Sequence, residues 1–345
     1  MKSKHLIAIA FFSLLIGLPL ALFTNTTAQK PQDQPASSSY TFSGPYTHGN
    51  LTVFLVHGKD LTSKTFLTLQ EALAQKKVRV YETKEVNELA IRNLSNQDIY
   101  VQAGDIVRGG DQDRMISVDF IVPPKSGRMP IAAFCVESGR WSKRGNEESA
   151  TFNSSENSVA TKELKLAAKR DNSQEAVWKN VSLAQEKLKR SIKADVVDVA
   201  SASSLELTVE TPKVKETTES YITALSGIVQ RKRDVIGYVF AINGHVNSAD
   251  VYASRDLFVK LWPKLLKASA VEAIAELNKD VEVKPIASEV VETFLADAEK
   301  PSAAAKDVTR RVKVVTREDD NNIFFETQDR AQKDGWVHRN YIKKQ

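Results

Sequence analysis

The chain has 345 residues, with 48 Lys and Arg against 43 Asp and Glu, a formal charge of +5. Two of those positive charges sit on Lys2 and Lys4. A charge this small, spread over mixed-sign segments, excludes a nucleic-acid binder that works by net charge, and Cys135, the single cysteine, excludes an intrachain disulfide framework. The length suffices for one large domain or two ordinary ones with full cores.

Residues 1–28 follow the order of a secretory signal peptide: Lys2 and Lys4, an apolar run from Leu6 to Phe23, then Thr26-Thr27-Ala28 before Gln29. The 18-residue run is near the shortest that spans a bilayer, so an uncleaved membrane tether is the alternative to a secreted or periplasmic protein. Cleavage leaves no transmembrane segment in the mature chain. Residues 29–45, rich in Gln, Pro and Ser at their start, read as a polar tether.

From Tyr46 the pattern is that of a folded body. Leu51 to His57 is a β-branched and aromatic strand, and Phe66 to Gln75 has the spacing of a short amphipathic helix. Short strands follow at Val78–Tyr81, Glu88–Asn93, Ile99–Ala103, Met115–Val122 and Met129–Glu137, a rhythm that predicts a sandwich or a partly closed barrel. Asn153 to Lys169 reads as a polar loop opening into a helix near Ala160. Gln174–Ser191 and Thr217–Val229 read as helices, with Ser201–Val214 as a loop between them. Basic clusters at Lys187, Lys189 and Arg190 and at Arg231 to Arg233 fit solvated faces. Val235–Asn243 is a strongly apolar strand, turned at Gly244 into Val246–Tyr252. Arg255–Leu277 is a long helix that Pro263 should kink or divide. After a shorter helix at Val290–Ala298 and a small-residue hinge at Ser302–Lys306, strands at Val308–Val315, Asn322–Thr327 and Trp336–Ile342 complete the chain. The fold expected is α+β: a β-rich core with packed helices, forming one domain over residues 46–345. Its two halves are 46–150 and 235–345, with a helical excursion over 155–230.

Two segments are too specific for ordinary connectors. In Gly104 to Arg114, Gly109-Gly110 permits tight backbone geometry and presents Gln112, Asp113 and Arg114 at fixed angles. In Cys135-Val136-Glu137-Ser138-Gly139-Arg140-Trp141, a strand ends in an acid, a turn and a cation–aromatic pair. Arg114 or Arg140 offers bidentate donors to a carboxylate or phosphate, Trp141 a stacking face, and Asp113 and Glu137 acid, base or acceptor chemistry. The competing reading is a buried salt-bridge network of Gln112, Arg114, Glu137 and Arg140 that ties strand ends together. Cys135, in an apolar strand, reads as a buried small hydrophobe. The five histidines occur singly, with no metal-ligand spacing, so neither a metal nor a cofactor is implied. A nucleophile elbow and a P-loop are absent too.

These pieces resemble a family named for its association with ADP-ribosylglycohydrolase and the rhodanese-phosphatase superfamily, a domain of unknown function. The resemblance rests on Asn50–Phe54, Leu67–Leu73, Gly104-Asp105, Gly110–Arg114, Cys135–Trp141, Val235–Asp250 and Phe258–Leu266, spanning Gly49 to Ala273. It implies company with nucleotide or ADP-ribose chemistry and supplies no mechanism. The first functional reading is a secreted or periplasmic domain that binds a small anionic ligand or an envelope protein partner through Gln112, Arg114, Arg140 and Trp141. One alternative is a hydrolase of nucleotide-like or glycan substrates, using Glu137 or Asp113 with Arg114 or Arg140. The other is a structural envelope-interaction protein.

Overall fold

The computed structural model describes residues 35–344 apart from 63, 159–160, 279–282 and 333–334. The expected signal peptide, the first residues of the tether and the helix start near Ala160 lie outside the described residues.

The strands are β1 (Thr41–His48), β2 (Leu51–His57), β3 (Leu67–Thr68), β4 (Val78–Glu82), β5 (Glu88–Asn93), β6 (Ile99–Val101), β7 (Asp105–Gly109), β8 (Arg114–Ile116), β9 (Phe120–Val122), β10 (Met129–Cys135), β11 (Phe152–Ser158), β12 (Val235–Ile242), β13 (His245–Tyr252), β14 (Ala303–Asp307), β15 (Val312–Glu318), β16 (Asn322–Asp329) and β17 (Trp336–Lys343). The helices are α1 (Leu69–Ala74), α2 (Lys162–Lys169), α3 (Gln174–Ile192), α4 (Leu205–Glu210), α5 (Pro212–Leu225), α6 (Arg255–Ala275) and α7 (Ser288–Ala298). They build an α+β fold around an eight-stranded antiparallel sheet, β1-β2-β12-β13-β17-β16-β15-β14, and a six-stranded sheet, β11-β7-β8-β10-β5-β4. A small mixed sheet, β3-β6-β9, pairs β3 and β6 in parallel. The six-stranded sheet curls because β10 changes partner midway. Its Met129–Ala132 half pairs with β5, and Ala133–Cys135 with β8.

The central strands of the large sheet are buried on both faces, and the period-two alternation of a strand shows how. Leu51, Val53 and Leu55 of β2 point into the core shared with α2, α3, α5 and α6. Phe54 and Val56 point to the other face, under α7. Helix α7 presents Val291, Phe294, Leu295 and Ala298 to that face, the spacing of one helical stripe. Each large side chain buried there contributes about 1.5–3 kcal/mol. The 243–244 turn between β12 and β13 has positive φ at Asn243 (53°) and Gly244 (81°), as a two-residue hairpin requires.

Several expectations change. Residues 35–45 are not a free tether: the amides of Ala36 and Ser37 donate to the Glu299 carboxylate (2.6 and 3.2 Å), Tyr40 is buried, and β1 begins at Thr41. The first half also gives β1 and β2 to the sheet made mostly by the second half, because β2 pairs with β12. Phe152–Ser158 is a strand on β7, where Phe152 and Ser155 are buried. Within the region read as a loop, Leu205 and Val209 bury one face of α4, capped by Ser204. Pro263 does not divide α6, which is continuous through it. The expected hinge at 302–306 is mostly β14, an exposed edge strand.

Candidate functional site

The β7–β8 turn and the end of β10 are adjacent strand ends: Cys135 is paired with Arg114, and the Val136 amide donates to the Asp113 carbonyl at 3.1 Å. Gly109 and Gly110 hold φ of 125° and 57°. A Cβ at Gly109 would meet the Thr151 carbonyl at 2.9 Å, and one at Gly110 the Phe152 ring at 2.5 Å. Only glycine lets the turn close against β11. Helix α3 fixes the other wall. The Gln174 side-chain amide pairs both ways with the Cys135 backbone, each bond 2.8 Å, as a neighbouring strand would.

Asp113 and Glu137 meet beneath this turn, both fully buried. The Asp113 amide donates to Glu137 Oε2 at 3.1 Å, and the Gly109 amide to Asp113 Oδ1 at 3.1 Å. Two guanidinium groups close the site, with side-chain exposures of 10% for Arg140 and 9% for Arg144. Arg140 lies 2.6 Å from Glu137 and 3.5 Å from Asp113. Arg144 lies 3.1 Å from Asp113, 3.4 Å from Glu137 and 2.7 Å from Glu147. Arg108 extends the network to Glu147, Glu206 and Glu210 at 3.4–3.8 Å. Five carboxylates therefore share three arginines. The segment before α4 roofs the site: Ser204 Oγ is 3.4 Å from Asp113 Oδ2, and the Ser203 hydroxyl donates to the Ser138 carbonyl.

Burial and these partners move the proton affinities of Asp113 and Glu137 in opposite directions. Burial, reinforced by the Glu137 charge, raises the Asp113 carboxyl above its ordinary range. Burial also acts upward on Glu137, but hydrogen bonds from Arg140, Ser201 and the Asp113 amide outweigh it and leave Glu137 below its ordinary range. Glu206 is raised, chiefly by burial. The cluster thus holds one carboxyl of raised proton affinity beside one of lowered proton affinity.

The other residues singled out by sequence divide sharply. Arg114 is not in the cluster. Successive residues of a strand point to opposite faces, and Arg114 reaches Glu82 at 3.3 Å and the Val86 carbonyl. Trp141 is 58% exposed, outside the buried network. Gln112 is fully buried, and neither amide atom has a protein partner. Cys135 is buried and its thiol is pushed up to about 11 by that burial, far from a nucleophile's range. Sequence reading missed Arg144, which stands one helical turn's spacing past Arg140, and Arg108, which faces Glu147 and two acids of α4. Among the described residues no group of three or more His, Cys, Asp or Glu is placed to hold a metal ion, and no helix is long and apolar enough to cross a membrane.

A second polar centre was not foreseen at all. His338 of β17 sits between Asp119, 2.7 Å from Nδ1, and Asp250, 3.0 Å from Nε2. Its ring stacks on Tyr252 at 4.5 Å. Asp119 also accepts from the Ala103 amide (2.8 Å) and Thr327 (2.6 Å), and Asn340 links Asp250 (2.9 Å) to Lys169 (2.9 Å). Residues 119, 169, 250 and 338 share no sequence motif. The pairing of β13 with β17, with Asp250 opposite Asn340 and Tyr252 opposite His338, joins two of them, and the segment before β9 and the end of α2 bring Asp119 and Lys169.

Residues 39–342 match the sequence profile of the ARG and Rhodanese-Phosphatase-superfamily-associated Protein domain. The chain belongs to that family. The match extends past the segments that carried the resemblance, through β17, so the family's domain includes both the arginine cluster and the His338 centre. No curated protein and no solved structure matches the chain.

Proposed function

We propose that the protein is an exported hydrolase that cleaves a glycosidic bond, the linkage common to nucleotide-like and glycan substrates, at the Asp113–Glu137 site. One observation carries the reading: two buried carboxyls in contact with the same two arginines differ in proton affinity, burial raising Asp113 while hydrogen bonds from Arg140 and its neighbours lower Glu137. Such a divergence separates an acid from a base. Asp113 is the proton donor to the leaving group, and Glu137 is the ionised partner that activates water or stabilises the sugar. Arg140 and Arg144 hold both carboxylates in place. The surplus of carboxylate over arginine favours the positive charge that develops at a sugar carbon in such reactions. It also disfavours the simple anion-binding role, since the arginines are already shared among acids. Gln112, with an unpartnered amide, supplies a substrate contact. The family name places its members in the company of ADP-ribosyl and phosphatase chemistry, which agrees with a nucleotide-like substrate. Export rests on the N-terminal run of residues 1–28.

The depth of the acids requires the roof before α4 to open for substrate. The same depth supports a second reading, a structural staple in which the network only ties the strand ends to α4. The two differ in what amide substitutions do. In the hydrolase, Glu137→Gln abolishes turnover of a glycosidic substrate in a protein that remains folded, an effect of about 10²–10⁴ in rate. In the staple, no turnover exists to lose and the variant loses only stability, read by thermal unfolding.

A further inference from the structure

A third set of polar contacts stands at the β1 edge of the large sheet and shares no residue with either centre. Strand β1 carries one residue more than β2 between two of its pairs: Ser43 lies opposite Leu55 and Tyr46 opposite Val53, with the register broken between them. Residues three apart on a regular strand point to opposite faces. This bulge puts Ser43 and Tyr46 on the same one, with the Tyr46 hydroxyl donating to Ser43 Oγ at 3.4 Å. Gly44 permits the bulge, since its φ is 131° and a Cβ would meet the Val53 carbonyl at 2.9 Å. His57 is the diagonal neighbour of Ser43, two residues along β2 from Leu55, a separation that long side chains span. Its Nε2 lies 2.7 Å from Ser43 Oγ. Its Nδ1 lies 3.0 Å from Asp234 Oδ1, just before β12, where the Gly58 amide donates to the Asp234 carbonyl at 2.9 Å. At the other end the Lys232 ammonium donates to the Tyr46 hydroxyl at 2.9 Å.

The two ends give these contacts a direction. The Lys232 ammonium only donates and the Asp234 carboxylate only accepts. With the His57 ring neutral, each group therefore donates to the next in the order Lys232, Tyr46, Ser43, His57, Asp234. Ser43 gives its hydrogen to the acceptor nitrogen of an imidazole whose other nitrogen a carboxylate holds. Nucleophile, base and orienting acid stand in that relation in serine hydrolases, an arrangement recognised by geometry and not by sequence position. We propose that Ser43 is the nucleophile of a second active site, one that cleaves carboxylic esters, with His57 as base, Asp234 as the residue that positions it and Tyr46 as oxyanion donor. Ser43 Oγ attacks the ester carbonyl and passes its proton to His57 Nε2, and the oxyanion accepts the Tyr46 hydrogen. The bond from the carbonyl carbon to the leaving alcohol oxygen then breaks, and His57 returns the proton to that oxygen. Water, deprotonated by His57, releases the acid and restores Ser43. The bond from Lys232 lowers the Tyr46 hydroxyl below its ordinary range, which strengthens its donation. The Asp234 side chain is 65% exposed, and Ser43 and Lys232 are partly so, which leaves the site open to solvent. It does not depend on the reaction proposed at the Asp113–Glu137 cluster.

The test treats the purified protein with a fluorophosphonate, which forms a phosphorus–oxygen bond to an activated serine as fluoride leaves, and in parallel with nitrophenyl butyrate. Peptide mass spectrometry locates the label. The expected result is a label on Ser43 together with ester turnover, both lost in Ser43→Ala. His57→Gln should slow labelling by about 10²–10⁴, and Tyr46→Phe should lower ester kcat by about 10²–10³. Asp234→Asn, at an exposed position, is the second variant in case His57→Gln does not fold. It should also slow labelling while its melting temperature stays that of the parent. No label on Ser43, or a labelling rate unchanged in a folded His57→Gln or Asp234→Asn protein, overturns the proposal. Turnover of nitrophenyl phosphate but not of the butyrate overturns the carboxylic ester class.

Discussion

The molecule contains two buried charged centres built on different balances of acid and base. Around Asp113 and Glu137, five carboxylates share three arginines. Around His338, two carboxylates flank the imidazole ring, and Asn340 links one of them to Lys169. Neither centre is explained by stability alone, since a buried ion pair roughly breaks even against its desolvation. Charge balance is what separates them. At the first centre burial, and after it the surplus of carboxylate, raises the proton affinity of Asp113, and that surplus suits a site where positive charge develops. At the second, His338 lies between two carboxylates that it matches. They are also anchored differently, the first on turns and strand ends, the second on paired strands of the large sheet.

The sharpest way to break the first centre is Arg144→Ala. It leaves Asp113, Glu137 and Glu147 short of a cation, and the expected loss is about 3–5 kcal/mol, read from urea unfolding. Arg114→Ala, despite its place next to Asp113, should leave the Asp113 and Glu137 protonation states unaltered, because it serves Glu82 on the opposite face. Carbon-13 NMR titration of the carboxyls would detect a failure of that separation.

A pH profile sharpens the contrast between the centres. Burial acts to lower the His338 pKa, but Asp119 and Asp250 outweigh it and raise the pKa above 6.5. Its stabilising contribution is therefore complete below pH 6.5 and is lost as pH rises through the elevated value. Asp250 is depressed below 3.8, where His338 outweighs burial, so its contribution is present above 3.8 and is lost as pH falls. This centre should stabilise the fold most between those limits, and His338→Gln should flatten the alkaline side of the melting-temperature profile. An unchanged alkaline slope in the variant would show that His338 is not an imidazolium.

The smallest effects fall on residues that only look functional. Cys135 should resist thiol reagents at pH 8 until the chain unfolds, since its thiol is buried and raised to about 11. Trp141→Ala should change stability by less than about 0.5 kcal/mol, because the side chain lies in solvent.

The α+β class was legible because strand periodicity and turn residues are local signals, and β2, β12 and the Asn243-Gly244 hairpin carry them plainly. The first centre was half legible for the same reason: Gln112 to Arg114 and Glu137 to Trp141 are short segments with unusual chemistry. What failed there was direction, because Arg114 and Asp113 alternate across a strand while Arg144 returns through a loop. Helix α4 was lost to its polar composition, and β11 to a run of Ser and Asn whose burial comes only from pairing with β7. The His338 centre was illegible in principle from spacing, since strand pairing between residues 88 positions apart places Asp250 against His338.

The central claim, that the acid-rich centre hydrolyses a glycosidic bond, is tested most directly by product release. Purified residues 29–345, beside Glu137→Gln and Asp113→Asn, would be assayed with ribosyl and hexosyl nitrophenyl glycosides, an ADP-ribosyl peptide and muropeptides. The account predicts turnover of at least one substrate, lost by about 10²–10⁴ in both variants while each retains a cooperative melting transition. Absence of turnover across the set, with both variants merely less stable, would contradict it and leave the cluster a structural staple.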